Sequence, residues 1–142
     1  MLFVEGTMNY MAPEVIKLAL LNPGNQTFRG SERPSGFRYY IEEDKAKDAV
    51  KPYTHKIDLW SYGMMVYELL TLQLPYANLP VAEASSMIER GVRPPLPPSK
   101  DSFLTPEMIE KCKSLVEIFE KCAVLDPDGR ISAEEILKLL SS

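Results

Sequence analysis

The chain has 142 residues, 45% of them apolar and 25% charged, with a formal net charge of −4. That length can bury one domain-sized core, and the acidic balance argues against a nucleic-acid partner, which demands a basic face. No run reaches the roughly 18 to 20 apolar residues of a membrane span, and Met1-Leu2-Phe3-Val4-Glu5 lacks the basic start and long apolar core of a secretory signal.

From Pro13 to Leu21 the spacing of Val15, Ile16, Leu18, Ala19 and Leu20 predicts a short helix, stopped by Asn22-Pro23-Gly24. Residues 22–52 change character. Gly24, Gly30, Pro34, Gly36 and Pro52 break regular structure, and Glu42-Glu43-Asp44-Lys45-Ala46-Lys47-Asp48 scatters charges of both signs. A loop this long without its own core is expected to be mobile. Phe37, Arg38, Tyr39, Tyr40 and Ile41 within it form either a brief docking patch or part of a collapsed loop.

Residues 57–72 carry apolar side chains on nearly every face, with Trp60, Met64, Val66, Tyr67 and Leu70 among them. Such a helix is expected to be buried all round, the central post of the domain. Asp58 near its start is expected to cap it, a carboxylate meeting the positive helix end, and Trp60 is expected to anchor the core. Residues 81–90 predict a more polar helix that Gly91 stops. Arg93-Pro94-Pro95-Leu96-Pro97-Pro98 then reads either as a polyproline ligand or as a structural connector.

A helix is predicted from Thr105, its cap, through Pro106 to about residue 124, with Met108, Ile109, Cys112, Leu115, Val116, Phe119 and Cys122 as its apolar stripe. Cys112 and Cys122 on one such helix stand about 15 Å apart along its axis and cannot bridge each other. Reduced thiols point to a cytosolic or nuclear compartment, with the cytoplasm as the expected location. The last helix opens at Ser132, a capping box with Glu135, and Ile131 and Ile136 occupy the two staple positions. His55 lies in a polar turn and is expected to be solvated; with one histidine and two badly spaced cysteines there is no metal constellation.

Three clusters carry more than local structure. Gly6-Thr7-Met8-Asn9-Tyr10-Met11-Ala12-Pro13-Glu14 reads G-T-x-x-Y-x-A-P-E. Asp58-Leu59-Trp60-Ser61-Tyr62-Gly63 reads D-x-W-S-x-G, and Leu125-Asp126-Pro127-Asp128-Gly129-Arg130 reads L-D-P-x-x-R. In this order they resemble the end of the activation segment, the central helix and the last turn of the C-lobe of a eukaryotic protein kinase. The tyrosine-kinase-like serine/threonine kinases are the most similar branch. Absent from the sequence are a G-x-G-x-x-G loop, a V-A-I-K lysine, an H-R-D-x-x-x-x-N loop and a D-F-G.

The resemblance implies a mainly α fold: residues 1–142 as the helical C-terminal part of a kinase C-lobe without the N-lobe sheet, residues 22–52 being an insertion. It implies that Thr7 and Tyr10 belong to the platform that receives a protein substrate. Glu14 and Arg130 would form a buried ion pair, and Asp58 and Trp60 would hold the central helix. It also turns Arg93 to Pro98 toward a connector, and Thr7 toward a serine/threonine specificity. ATP and magnesium belong to a complete kinase domain. The residues that bind them are missing, so this chain is expected to hold no catalytic, cofactor-binding or metal-binding residue and to transfer no phosphate alone. Its expected partners are a protein substrate or the upstream half of a kinase; the alternative is a non-catalytic helical interaction module derived from one. The departures are Ala123 where related kinases often carry tryptophan, and Ile131 where proline is frequent.

Overall fold

The computed structural model describes residues 8–21, 54–96 and 105–142. Thr7, the segment 22–52 and residues 97–98 of the proline-rich stretch lie outside them. The described residues form helices and turns, with no strand among them, a mainly α fold. In chain order the helices are α1 (Pro13–Leu21), α2 (Lys56–Thr71), α3 (Val81–Glu89), α4 (Pro106–Lys111), α5 (Lys113–Cys122) and α6 (Ala133–Ser141); a 3-10 turn, Pro127–Gly129, precedes α6.

α2 and α5 share the largest helix-to-helix contact, α1 lies against α3, and α6 closes on α5. Trp60, Met64, Val66 and Leu70 from α2 meet Ile118, Phe119 and Cys122 from α5 in one buried cluster. Each large side chain buried in this way contributes about 1.5–3 kcal/mol of hydrophobic stabilisation. The two helices cross closely because Gly63 has no side chain: a Cβ there would stand 2.7 Å from Cys122 Cβ. Burial raises the Cys122 thiol to about 11, partly offset by the nearby Arg130 charge.

Three expectations from the sequence are corrected. Asp58 does not cap α2. The helix begins two residues earlier, at Lys56, with His55 in the cap position, and Asp58 stands exposed in the first turn. The turn is started by Thr54, whose hydroxyl oxygen accepts from the Lys56 amide at 3.3 Å and whose carbonyl accepts from the Ile57 amide. Nor is α2 buried all round: Met65, Leu69 and Leu72 are 52%, 69% and 74% exposed, a line at helical spacing with no neighbour packed over it among the described residues. Finally, the helix expected across 105–124 breaks at Cys112 into α4 and α5. The second piece is fixed to the core by Ile118, Phe119 and Cys122, all buried, while Met108 on the first is exposed.

The helix ends obey local chemistry. Thr105 Oγ1 accepts from the Met108 amide at 3.2 Å, and the Ser132–Glu135 capping box is complete, with Ile131 and Ile136 both buried beside it. Leu72 ends α2 in the left-handed region at φ 56°, a conformation that disfavours a side chain. Thr71 supports that turn: its hydroxyl donates to Tyr67 O at 2.9 Å and accepts from the Gln73 amide at 3.2 Å. Gly91 at φ 70° ends α3, where any Cβ would also meet Leu125 Cβ at 2.5 Å.

The connector after Gly91 is docked against the core. Tyr76 donates its hydroxyl proton to Val92 O at 2.8 Å, Tyr67 donates to Pro95 O at 3.2 Å, and Arg93 donates to Glu120 O at 3.0 Å. Pro94 is buried, and Leu96 packs on the core cluster. A polyproline ligand must present its prolines to a partner, so this geometry supports the connector reading over residues 93–96.

Candidate functional site

The L-D-P-x-x-R cluster folds as a capped turn. Asp126 Oδ1 accepts from the Asp128 amide at 3.1 Å, and the Gly129 amide donates to Asp126 O at 3.0 Å. The chain leaves this turn extended at Arg130, whose side chain then points into the protein with no exposed surface. A buried guanidinium is tolerated only if its five N–H groups find acceptors. Here each of them does. Nη1 donates to Glu14 Oε1 at 2.7 Å and to Lys56 O at 2.8 Å. Nη2 donates to Glu14 Oε2 at 2.8 Å and to Leu125 O at 3.4 Å, and Nε donates to Val124 O at 2.9 Å.

The pair with Glu14 is thus a two-pronged fork, the strongest form of carboxylate recognition. Glu14 is itself 12% exposed and sits in the first turn of α1, where the positive helix end also favours a carboxylate. Lys56 returns the contact, its Nζ donating to Arg130 O at 3.2 Å. The guanidinium lies 5.4 Å from the centre of the Trp60 ring, within cation–π range. Trp60 is fully buried, and its indole N–H has no hydrogen-bond partner among the described residues. Residues from the start, middle and end of the chain therefore converge on one arginine.

A second convergence lies at the segment 8–12. Ser61 donates its hydroxyl proton to Tyr10 O at 2.7 Å, and the Tyr10 hydroxyl donates to Glu68 Oε2. Burial, the bond to Glu68 and that carboxylate's charge together raise Tyr10 to about 12, so it holds its proton at neutral pH. Met8 and Ala12 are buried beside this contact.

Of the site residues expected from the motifs, the structure brings Glu14, Arg130 and Trp60 together, sets Tyr10 against α2, and leaves Asp58 at the surface. Lys56, Ser61 and Glu68 join them as partners that the motifs do not name. Glu68 carries a signal: it is the single carboxylate in the apolar run from Leu59 to Leu72, and such a group demands a donor. Among the described residues no cluster of three or more His, Cys, Asp or Glu side chains could hold a metal ion, and no helix is long and apolar enough to cross a membrane. The two convergences position backbone and helices.

Comparison with known proteins fits this architecture. The family model for the protein kinase domain matches residues 37–139, which takes in α2 to α5 and most of α6 and begins after the A-P-E cluster. Serine/threonine-protein kinase STY17 of Arabidopsis thaliana is 36% identical over 92 residues, 64% of this chain and 14% of that protein. Serine/threonine/tyrosine-protein kinase HT1 of Arabidopsis thaliana is 42% identical over 65 residues, 45% of this chain and 16% of that protein. The melanoma receptor tyrosine-protein kinase of Xiphophorus maculatus is 37% identical over 86 residues, 60% of this chain and 6% of that protein. The chain thus spans less than a fifth of the length of each of these relatives. With most of its residues matched by that model, and with the helical core described above, the chain belongs to the protein kinase domain family.

Proposed function

We propose that the chain is the C-terminal portion of a serine/threonine kinase domain, the end of the substrate platform and the helical core of the C-lobe. The observation that carries this reading is the exposed line of Met65 and Leu69 on α2 and Leu72 at its C-cap. Three large apolar side chains at adjacent turns of the central helix are a face built to be covered. The chain matches only a small share of each relative, and the upstream half of a kinase domain would supply the cover. Thr7 and Tyr10 would then lie on the platform, with Tyr10 held through Ser61 and Glu68. Glu14 and Arg130 would fix the platform's far end to the last helix.

In a complete domain ATP with magnesium delivers the γ-phosphoryl group to a protein hydroxyl, by positioning and charge stabilisation from groups upstream of this chain. The isolated 142 residues would bind no nucleotide and transfer no phosphate. Two free thiols favour a reducing compartment such as the cytoplasm.

The same exposed line favours a second reading, a non-catalytic interaction module that offers this face to another protein. Co-expression with the upstream half of a related kinase separates the two. The first reading expects a stable complex that binds ATP and phosphorylates a generic serine/threonine substrate, while the chain alone does neither. Incorporation of labelled phosphate by the isolated chain would overturn the inactive-portion reading. A cooperatively folding monomer indifferent to the upstream half would favour the module.

A further inference from the structure

We propose that the Tyr10–Glu68 contact is a phosphorylation-sensitive latch: a phosphate on the Tyr10 hydroxyl would release residues 8–12 from α2. The contact has the parts of a charge switch. Tyr10 is partly exposed, so its hydroxyl can be reached after a local opening. Its proton is given to a carboxylate, so the oxygen is bonded to the group that would most oppose a phosphate there. Ser61 clamps the Tyr10 carbonyl to the same helix, two turns before Glu68, so the ring is held close to that carboxylate. A phosphotyrosine carries about −1.5 to −2 charges at neutral pH and cannot donate to Glu68. The ring would swing out, and the strain on the backbone it hangs from would loosen the Ser61 bond.

The far end of the segment would stay anchored, since Glu14 remains in the Arg130 fork. The released piece is therefore short and the change reversible. The step needs ATP and a tyrosine-directed kinase. The tyrosine oxygen forms a bond to the γ-phosphorus, the bond from that phosphorus to the β-bridging oxygen breaks, ADP leaves, and the hydroxyl proton passes to solvent. The latch does not depend on whether the segment serves as a substrate platform.

The test uses the chain carrying phosphotyrosine at position 10 and reads amide hydrogen exchange residue by residue. The Met11, Val15 and Ile16 amides, bonded to Met8 O and Ala12 O, report the segment, and the Ala123 and Ile136 amides report the rest of the fold. The expected result is that exchange at the first three rises by about tenfold or more while the last two change by less than about twofold. Glu68→Gln in the phosphorylated chain should return most of that protection, because a neutral amide can donate to the phosphate. Tyr10→Phe, which loses the bond without gaining charge, should loosen the segment by a smaller factor. A broad-specificity tyrosine kinase should modify Tyr10 faster in Glu68→Ala than in the wild type. The proposal is overturned if phosphorylation leaves the first three amides unchanged, if exchange rises equally everywhere, if Glu68→Gln restores nothing, or if Tyr10 resists the kinase in both chains.

Discussion

The two sides of α2 are built on opposite terms. On one side Trp60 and Met64 are buried in the cluster shared with α5, and Arg130 closes the base with each of its N–H groups directed at an acceptor. On the other side Met65, Leu69 and Leu72 stand in the open at consecutive turns. Among the described residues, one helix thus carries a covered face and an uncovered one. The covered side forms the buried cluster at the centre of the fold. The open side shows that apolar periodicity measures how much a helix expects to bury, and does not say which piece of protein does the burying.

The sharpest way to break the contrast is at the base. Arg130→Ala leaves the Glu14 carboxylate and the Val124 and Lys56 carbonyls without their donor, and should destabilise the fold by about 3–5 kcal/mol in chemical denaturation. Arg130→Lys should recover only part of this, because an ammonium cannot present the fork. A denaturation midpoint equal to that of the wild type for Arg130→Ala would remove the arginine from its central place.

Next in size is the helix crossing. Gly63→Ala forces a methyl to within 2.7 Å of Cys122 Cβ and should cost about 1–3 kcal/mol. Cys122→Ala should give no rescue, since the obstructing atom is the Cβ and not the sulfur. Recovery in that double variant would mean that the helices meet elsewhere.

Ser132→Ala removes the cap of α6 and should cost about 1 kcal/mol, read as a lower melting temperature. Its partner Glu135 adds a pH signature. Hydrogen bonds from the Ser132 amide and hydroxyl lower the Glu135 carboxyl below its ordinary value. A depressed folded-state value means stability that is present above the unfolded carboxylate range and lost as pH falls through the folded value. Acid should therefore narrow the gap between wild type and Ser132→Ala; a gap that widens with acid would contradict the capping box.

The smallest effect on stability is expected at the open face. Met65→Gln and Leu69→Gln should change unfolding free energy by less than about 0.5 kcal/mol, as solvent-facing positions do. Both should reduce binding of an apolar dye and self-association in sedimentation. A large loss of stability from either would show that this face is packed after all.

Much of the fold is legible in the amino-acid sequence. The capping box at Ser132, the Pro13 start of α1 and the Gly91 stop are set within a few residues of chain, and the structure follows them. The mainly helical class is legible for the same reason. What escapes the sequence is tertiary. The helix breaks at Cys112, and nothing in the stripe from Met108 to Cys122 encodes that break. Asp58 resembles a cap because the apolar run starts beside it, yet Thr54 opens the turn earlier. The Arg130 cluster is half visible: the motifs name its acid and base, while the carbonyls of Lys56, Val124 and Leu125 are backbone acceptors that any residue would offer. The Tyr10–Glu68 contact could be suspected from a carboxylate stranded in an apolar helix, but no local pattern names a partner 58 positions away.

The arginine that ties the molecule together lies 116 positions after the glutamate it holds. On the ribosome, where the chain emerges from its first residue onward, α1 and α2 are made long before the group that locks them. Contacts of such long sequence separation form slowly and late. The domain would therefore wait, with Glu14 and the indole of Trp60 unclaimed, until the L-D-P-x-x-R turn has been made. Any chain cut short of that turn should leave the ribosome as a substrate for chaperones and proteases.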